Sequence, residues 1–451
     1  MRPSAPSSSP FSALARTLDH FSLGWSTLNR NAQLYVISNT LQAATAGAVA
    51  VLYTLYLTAL GFHTDFIGAV LVIATIGGGL GIIPANPLVR RLGWRAMLIW
   101  SDIIGGVAIA AQILLPTAPV IIITSLGIGA SVAIFLVINT PLLTAYSTPR
   151  ERTALFGLNN ATNFLATIIG TLLGGFLPGW FAQRGVDRSP LLLSLHPLLV
   201  SNPTARSYEL ALLATGALAL PSIIPVLFIR DPPRELAQET APTQPQVAPA
   251  IPLLLFWRKR LREGWGVTRR YAVGFVGRFS LTQALVGFGA GVFFPYVNLY
   301  FVNTLHANVA YYGALSAVLS VVVALASLVA APLAARFGKM RTAIMVQVLS
   351  IPFLIAVGLA PFLWLVSLVY LIRGALMAIN NPPLQTFLME GVEKEQRIAA
   401  SSIYNVSFQV AWAMGAGLSG WLITLAGNRL PFFVAAPFYA ASALLLIIWF
   451  G

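Results

Sequence analysis

The chain has 451 residues, of which 57% are hydrophobic and 9% charged, with a formal net charge of +14 and no cysteine. A soluble domain carries about 25% charged residues, and two or three such domains could not bury this much apolar surface. The lack of cysteine excludes disulfides, iron–sulfur clusters and thiolate metal sites, and the basic excess, scattered through short links, provides no folded basic domain for nucleic acid.

Apolar runs of about 20 residues or more recur along the chain, the length that crosses a bilayer as a helix. They do not alternate apolar with polar residues as barrel strands would. Residues 1–30 read as a Ser/Pro-rich tail without a signal-peptide pattern. The tail runs into an amphipathic interfacial helix carrying Phe11, Leu14, Leu18 and Phe21. Spans are expected at about 34–60, 66–89, 96–115, 120–146, 154–180 and 208–229. In the second, Gly77 and Gly81 have the spacing that lets helices approach closely. Residues 230–250 read as a Pro/Gln/Ala-rich linker, followed at 253–270 by a basic, aromatic-bearing helix suited to an anionic membrane face. Six more spans follow at about 272–301, 309–335, 342–360, 362–389, 398–426 and 431–450.

The organisation is thus a tail (1–30), a six-helix bundle (31–229), a linker (230–271) and a second six-helix bundle (272–451). Alternate links place 21 Lys and Arg on the side of the N-terminus and 4 on the other. By the positive-inside rule both termini are expected in the cytoplasm, with the chain in the plasma membrane.

The chain also repeats itself. The basic turn from Asn86 to Arg95 (NPLVRRLGWR) is echoed from Ala331 to Arg341 (APLAARFGKMR), with Pro87, Leu88, Arg91 and Gly93 matching Pro332, Leu333, Arg336 and Gly338 at an offset of 245. Arg152 and Asn160 match Arg397 and Asn405 at the same offset, as Gly170 and Gly175 match Gly415 and Gly420. Two six-helix halves in the same orientation form a parallel repeat.

With these turns and this repeat, the chain resembles the major facilitator superfamily. That family's turn signature is approximately G-x-L-a-D-R-x-G-R-[KR]. Leu88, Arg91, Gly93 and Arg95 match it in the first half, and Leu333, Arg336, Gly338 and Lys339 in the second. Asn86, Arg90 and Trp94 depart from it, and Ala335 stands at the second Asp position. In the family that Asp pairs with charge on neighbouring helices and latches one state; neither half carries it here. The resemblance implies an all-α membrane protein of twelve helices, with two bundles rocking around a central site. The cavity would be lined mainly by helices one, four, seven and ten, with contributions from five and eleven.

Polar groups inside a span mark function or pairing. Arg373 is expected near the midplane, with Met377 and Asn380 on its face. It would bind an anionic or polar group or gate the cavity; alternatively it pairs with carbonyls or an amide. Asp102 is read as the one acid within a span. It is the candidate for proton coupling, the alternative being a structural pair to an arginine near the cytoplasmic face. Its repeat mate, Gln347, is neutral.

Asn160, Asn163, Thr167 and Thr171 share one face of the fifth span, and Ser401, Asn405, Gln409 and Trp412 one face of the eleventh. Asn39, Gln42, Asn139, Gln283, Asn298 and Asn381 add further amides. Neutral donors and acceptors suit a polar or amphipathic solute, while the alternative is interhelical hydrogen bonding at about 0.6 kcal/mol each. Tyr53, Tyr56, Tyr296 and Tyr300 are expected in the interfacial belt. No phosphate loop, nucleophile elbow or paired His spacing is present, so neither ATP hydrolysis, another enzymatic activity nor a metal or cofactor is expected. The reading is a monomeric secondary transporter of a small molecule in the lipid bilayer, leaning to proton-coupled efflux of amphipathic or hydrophobic compounds. Uptake or exchange of an organic anion or polar metabolite is the alternative, and a non-transporting membrane sensor a further one.

Overall fold

The computed structural model describes residues 25, 28–148, 151–185, 202–231, 274–393 and 396–451. The expected interfacial helix at the N-terminus and the basic helix of the linker lie outside them. Among the described residues all regular structure is helical, and twelve helices are long and apolar enough to cross a membrane. The first half holds α1 (Arg30–Ala59), α2 (Thr64–Leu92), α3 (Trp94–Leu114), α4 (Ala118–Ala145), α5 (Arg152–Gln183) and α6 (Pro203–Phe228). The second holds α7 (Phe275–Thr304), α8 (Val309–Phe337), α9 (Lys339–Leu359), α10 (Leu363–Glu390), α11 (Arg397–Ala426) and α12 (Leu430–Phe450). The face where α1 begins and α12 ends is called the terminal face below, and the opposite one the far face.

Within each half the packing follows one plan. α1 lies on α5, α2 on α4 and α3 on α4; α7 lies on α11, α8 on α10 and α9 on α10. Glycine makes the closest of these contacts possible. A Cβ at Gly47 would run into the carbonyl of Thr167, and one at Gly170 into that of Ala44. The repeat mates behave alike: Gly291 meets the carbonyl of Trp412, and Gly415 that of Phe288. Helices in lipid gain nothing from hiding apolar surface from one another, so close backbone contact of this kind carries association. Gly77 and Gly81 serve α2 in the same way, against Leu126 and Ala130 of α4.

The tyrosines correct one expectation. Tyr56 and Tyr300 are fully buried and donate to the carbonyls of Ile113 (2.8 Å) and Val357 (2.7 Å), so each pins its bundle from within. Tyr296 is also buried, and Tyr53 donates to Gln112 Oε1 at 2.7 Å. A phenol near a membrane interface is as well satisfied by a facing carbonyl as by water, and here the neighbouring helix supplies one.

Two spans are broken where continuous helices were expected. α6 is interrupted by a 3-10 turn at Leu220–Ser222 around Pro221. α7 breaks at Phe294–Tyr296 around Pro295 and ends in a π segment, Tyr300–Thr304. Proline removes a donor and clashes with the preceding turn, which opens the helix. α6 also starts earlier than expected, because Asn202 caps it by accepting from Thr204 N, with Pro203 in the first turn. The earlier start brings Arg206 into the span; Glu209, which is fully buried, already falls within the expected 208–229, so Asp102 is not the sole intramembrane acid.

Candidate functional site

The halves meet along two seams, α2 with α11 and α5 with α8. Both are tight toward the far face and are built from repeat-related glycines. Gly175 of α5 faces Gly313 of α8, and Gly420 of α11 lies on Thr64 and Asp65 of α2 while Gly68 lies on Ala416. Hydrogen bonds reinforce them. Thr64 donates to the carbonyl of Gly420 (2.8 Å) and sits 3.0 Å from Thr424 Oγ1. Tyr296 donates to the carbonyl of Ala416 in its own half at 2.9 Å and reaches the carbonyl of Thr64 across the seam at 3.5 Å. Asn298 donates to the carbonyl of Val51 at 2.9 Å and to Thr54 Oγ1. The break in α7 aims the last two side chains across the interface, since an unwound segment projects groups that a regular helix would turn aside.

Toward the terminal face the same helix faces are open. On α11, Gln409 lies three turns before Gly420 and about 20° from it around the helix, and Asn405 a further turn back and about 60° away. Both are exposed. They fall between the sector facing α7, marked by Tyr404 and Gly415, and the lipid-facing sector of Val406, Val410, Met414 and Trp421. On α5 the repeat mates Asn160 and Phe164 occupy the equivalent sector and are likewise exposed. Toward the terminal face these matching sectors thus present amides and an aromatic ring, with Trp412 half-buried beside them.

Most other amides singled out in the sequence are engaged within one bundle. Asn39 donates to Asn159 Oδ1 at 2.9 Å, and its mate Gln283 donates to the Tyr404 hydroxyl. Asn139 accepts from the Tyr35 hydroxyl at 2.7 Å, and Asn380 donates to Gln347 at 3.3 Å. Asn163 turns toward α1, its Oδ1 buried without a hydrogen-bond partner among the described residues. The partners Asn159, Tyr404 and Tyr35 were missed in the sequence. The signal for the first two was the repeat register, which sets Asn39 and Gln283 at an offset of 244 and Asn159 and Tyr404 at 245.

Asp102 of α3 faces α1. Its Oδ1 accepts from Gln42 Nε2 at 2.9 Å, while Oδ2 is buried with no hydrogen-bond partner among the described residues. The expected alternative, an arginine partner, is replaced by an amide, because the side chain points between helices and not toward the basic links. Gln347, at the matching place in the second half, donates to the carbonyl of Tyr439 at 3.1 Å and accepts from Asn380.

Arg373 of α10 is 5% exposed. Its guanidinium carbon lies 4.4 Å from the Phe293 ring centroid and 5.0 Å from that of Tyr439. Nε and Nη2 are buried without hydrogen-bond partners among the described residues. The two rings offset part of the cost of burial, at about 2 kcal/mol or more for a desolvated pair. With Asn380, Arg373 looks into the second bundle toward α7, α9 and α12, away from the seams.

The two basic turns share a backbone and differ in what caps them. Gly93 and Gly338 both take positive φ, +86° and +89°, which favours glycine. At the first turn Asp231, just past α6, accepts from Arg95 N at 2.9 Å and closes over Gly93. A carboxylate from another part of the chain thus sits at the positive end of α3. Arg91 and the Arg95 side chain are exposed. At the second turn nothing lies within 4 Å of a Cβ built on Gly338, and Lys339 pairs with Glu390 at the end of α10. Arg336 stacks on Phe337, 5.3 Å from its ring centroid.

A family model described as Major Facilitator Superfamily matches residues 35–283 and 279–451. A search of curated proteins finds none that matches the sequence. Among solved structures the chain is similar to a bacterial homolog of the human lysosomal transporter Spinster in an inward-facing, occupied conformation, at 13% identity over 92% of this chain and 95% of that one, TM-score 0.70. It is similar to the nucleoside transporter NupG at 14% identity over 93% and 98%, TM-score 0.67. It is also similar to a D-xylose–proton symporter at 17% identity over 93% and 96%, TM-score 0.64. At these identities the likeness is one of fold.

Proposed function

The chain belongs to the major facilitator superfamily, and from that premise we propose that this multi-pass secondary transporter exports amphipathic compounds in exchange for protons. The observation that carries the reading is the open sector of α5 and α11, where Asn160, Phe164, Asn405 and Gln409 combine neutral hydrogen-bonding groups with an aromatic face and no fixed charge. Such a lining suits a solute that is part apolar and part polar. The excess of Lys and Arg in the links of the terminal face supports a cytoplasmic orientation for it, so in this reading the exposed sectors line a cleft that loads from inside. Closing it while parting the far-face seams would release the solute outside. Asp102, with one oxygen unpartnered, is the proton carrier in this reading, and Gln42 couples it to α1, a helix that contacts the other half.

The test is solute-dependent proton movement in proteoliposomes with a panel of drugs, sugars and organic acids, comparing wild type with Asp102→Asn. Loss of proton flux with solute binding retained supports the reading. Solute flux unchanged in the mutant removes Asp102 from coupling. A second reading, transport of an organic anion, draws on the unpartnered Nε and Nη2 of Arg373; it requires Arg373→Gln to abolish uptake of an acid from the panel. Solute binding without any flux would instead indicate a sensor.

A further inference from the structure

Arg373 lies apart from the exposed sectors of α5 and α11, buried among α7, α10 and α12. A guanidinium keeps its proton inside a protein, so it stays charged there. A buried charge is paired and hydrogen-bonded, or it strongly destabilises the fold. The second half has no acid to pair with it. Between residues 272 and 451 the acids are Glu390, Glu393 and Glu395. The nearest along α10, Glu390, is 17 residues or about 25 Å away, and it is held by Lys339.

The rings of Phe293 and Tyr439 attract the charge, but a π face supplies no full lone pair for an N–H group. The two nitrogens left unpartnered among the described residues are Nε and Nη2. These form one edge of the guanidinium, and their N–H bonds run parallel. It is the edge with which arginine holds an anion by two hydrogen bonds. Tyr439 is fixed behind it, because its carbonyl accepts from Gln347, which in turn accepts from Asn380 on the Arg373 face of α10. Ser442, about 60° from Tyr439 around α12, has a buried hydroxyl without a hydrogen-bond partner among the described residues.

We propose that this edge of Arg373 holds a small monovalent anion, chloride, as a resident of the second bundle. One negative charge balances the one positive charge, and two parallel N–H groups suit a single spherical ion. Phosphate or sulfate would bring a second charge and more oxygens than these donors satisfy. The carboxylate of a transported solute would need the edge to face the other half, and it faces α7 and α12. Phe293 is the last residue before the break in α7, so the ion also steadies the segment that aims Tyr296 and Asn298 at the first half. The inference stands whichever solute is carried.

The experiment is binding of radioactive chloride to the full chain in detergent. The unfolding midpoint is read beside it as chloride replaces gluconate at constant ionic strength. Wild type should bind about one chloride per chain and unfold about 2 °C or more higher when saturated. Arg373→Met replaces the charge with an apolar chain, a change that buried sites tolerate, and should lose both the binding and the chloride dependence. Arg373→Lys keeps the charge without the fork and should bind about tenfold more weakly, which keeps the test open if the Met variant does not fold. Arg336→Gln, at an exposed position, should behave as wild type. No binding by wild type, or binding unchanged in Arg373→Met and Arg373→Lys, would overturn the inference. So would an equal loss in Arg336→Gln, which would reduce the effect to general surface charge. Displacement of chloride by benzoate at lower concentration than chloride's own would overturn the halide assignment in favour of a carboxylate solute.

Discussion

At Asp102 one oxygen is bound and the other is not. In Asp102→Asn the side-chain oxygen can still accept from Gln42, so the bundle is expected to stay folded, with a thermal midpoint near wild type, while proton movement is lost. The cleft amides should behave in the opposite sense to the bundle amides. Asn405→Ala and Gln409→Ala, at exposed positions, should each weaken solute binding by about three- to tenfold, the worth of a single hydrogen bond, and leave unfolding unchanged. Asn39→Ala strands the buried Asn159 and should cost about 1–3 kcal/mol of stability, with little effect on affinity; titration of solute beside denaturation in detergent separates the two classes. The sequence showed that these residues are intramembrane amides. It did not show which were paired, because pairing depends on neighbouring helices: Asn159 and Asn160 are adjacent, yet one is buried against Asn39 and the other faces the cleft.

Among helices, the turn between α2 and α3 and the seams make separable demands. Gly93→Ala would place a methyl group against the Asp231 carboxylate in a backbone conformation that disfavours any side chain. A loss of about 1–3 kcal/mol is expected, read as a lower unfolding midpoint. Gly175→Leu would drive a side chain into Gly313 and Val309 of the other half without disturbing α1, so transport should fall by about tenfold or more while each half stays folded. At this scale the spans, the two halves and the glycine contacts were legible from apolar length and from the offset of 245. The cap at the first turn was not. The family's Asp is missing at Arg90, and the carboxylate that serves α3 comes from Asp231, far along the chain, where only tertiary structure brings it near. The breaks in α6 and α7 were marked by Pro221 and Pro295, but proline is common enough inside these spans that its presence did not distinguish a break from a bend.

In the whole molecule, close contacts join the halves toward the far face, and the exposed sectors of α5 and α11 lie toward the terminal one. Because the chain has no cysteine, introduced pairs report without background. Thr64→Cys with Thr424→Cys replaces two hydroxyls 3.0 Å apart across the α2–α11 seam. Oxidation should link them and stop transport, and reduction should restore it; transport that persists in the oxidised pair would mean that this seam does not part during the cycle.

Thr54 and Asn298 occupy the same place in the two halves, at an offset of 244, and they touch. A position that meets its own copy lies on the pseudo-two-fold axis. Two threonines there could share one hydrogen bond. The amide of Asn298 also reaches the carbonyl of Val51 and accepts from Leu299 N, so the closure gains strength from the halves having ceased to be identical. The break in α7 aims that amide across the axis, and α1, unbroken at Thr54, would not aim one placed there. The exchanged protein, Thr54→Asn with Asn298→Thr, should therefore close and transport less well than the original, as should Asn298→Thr alone.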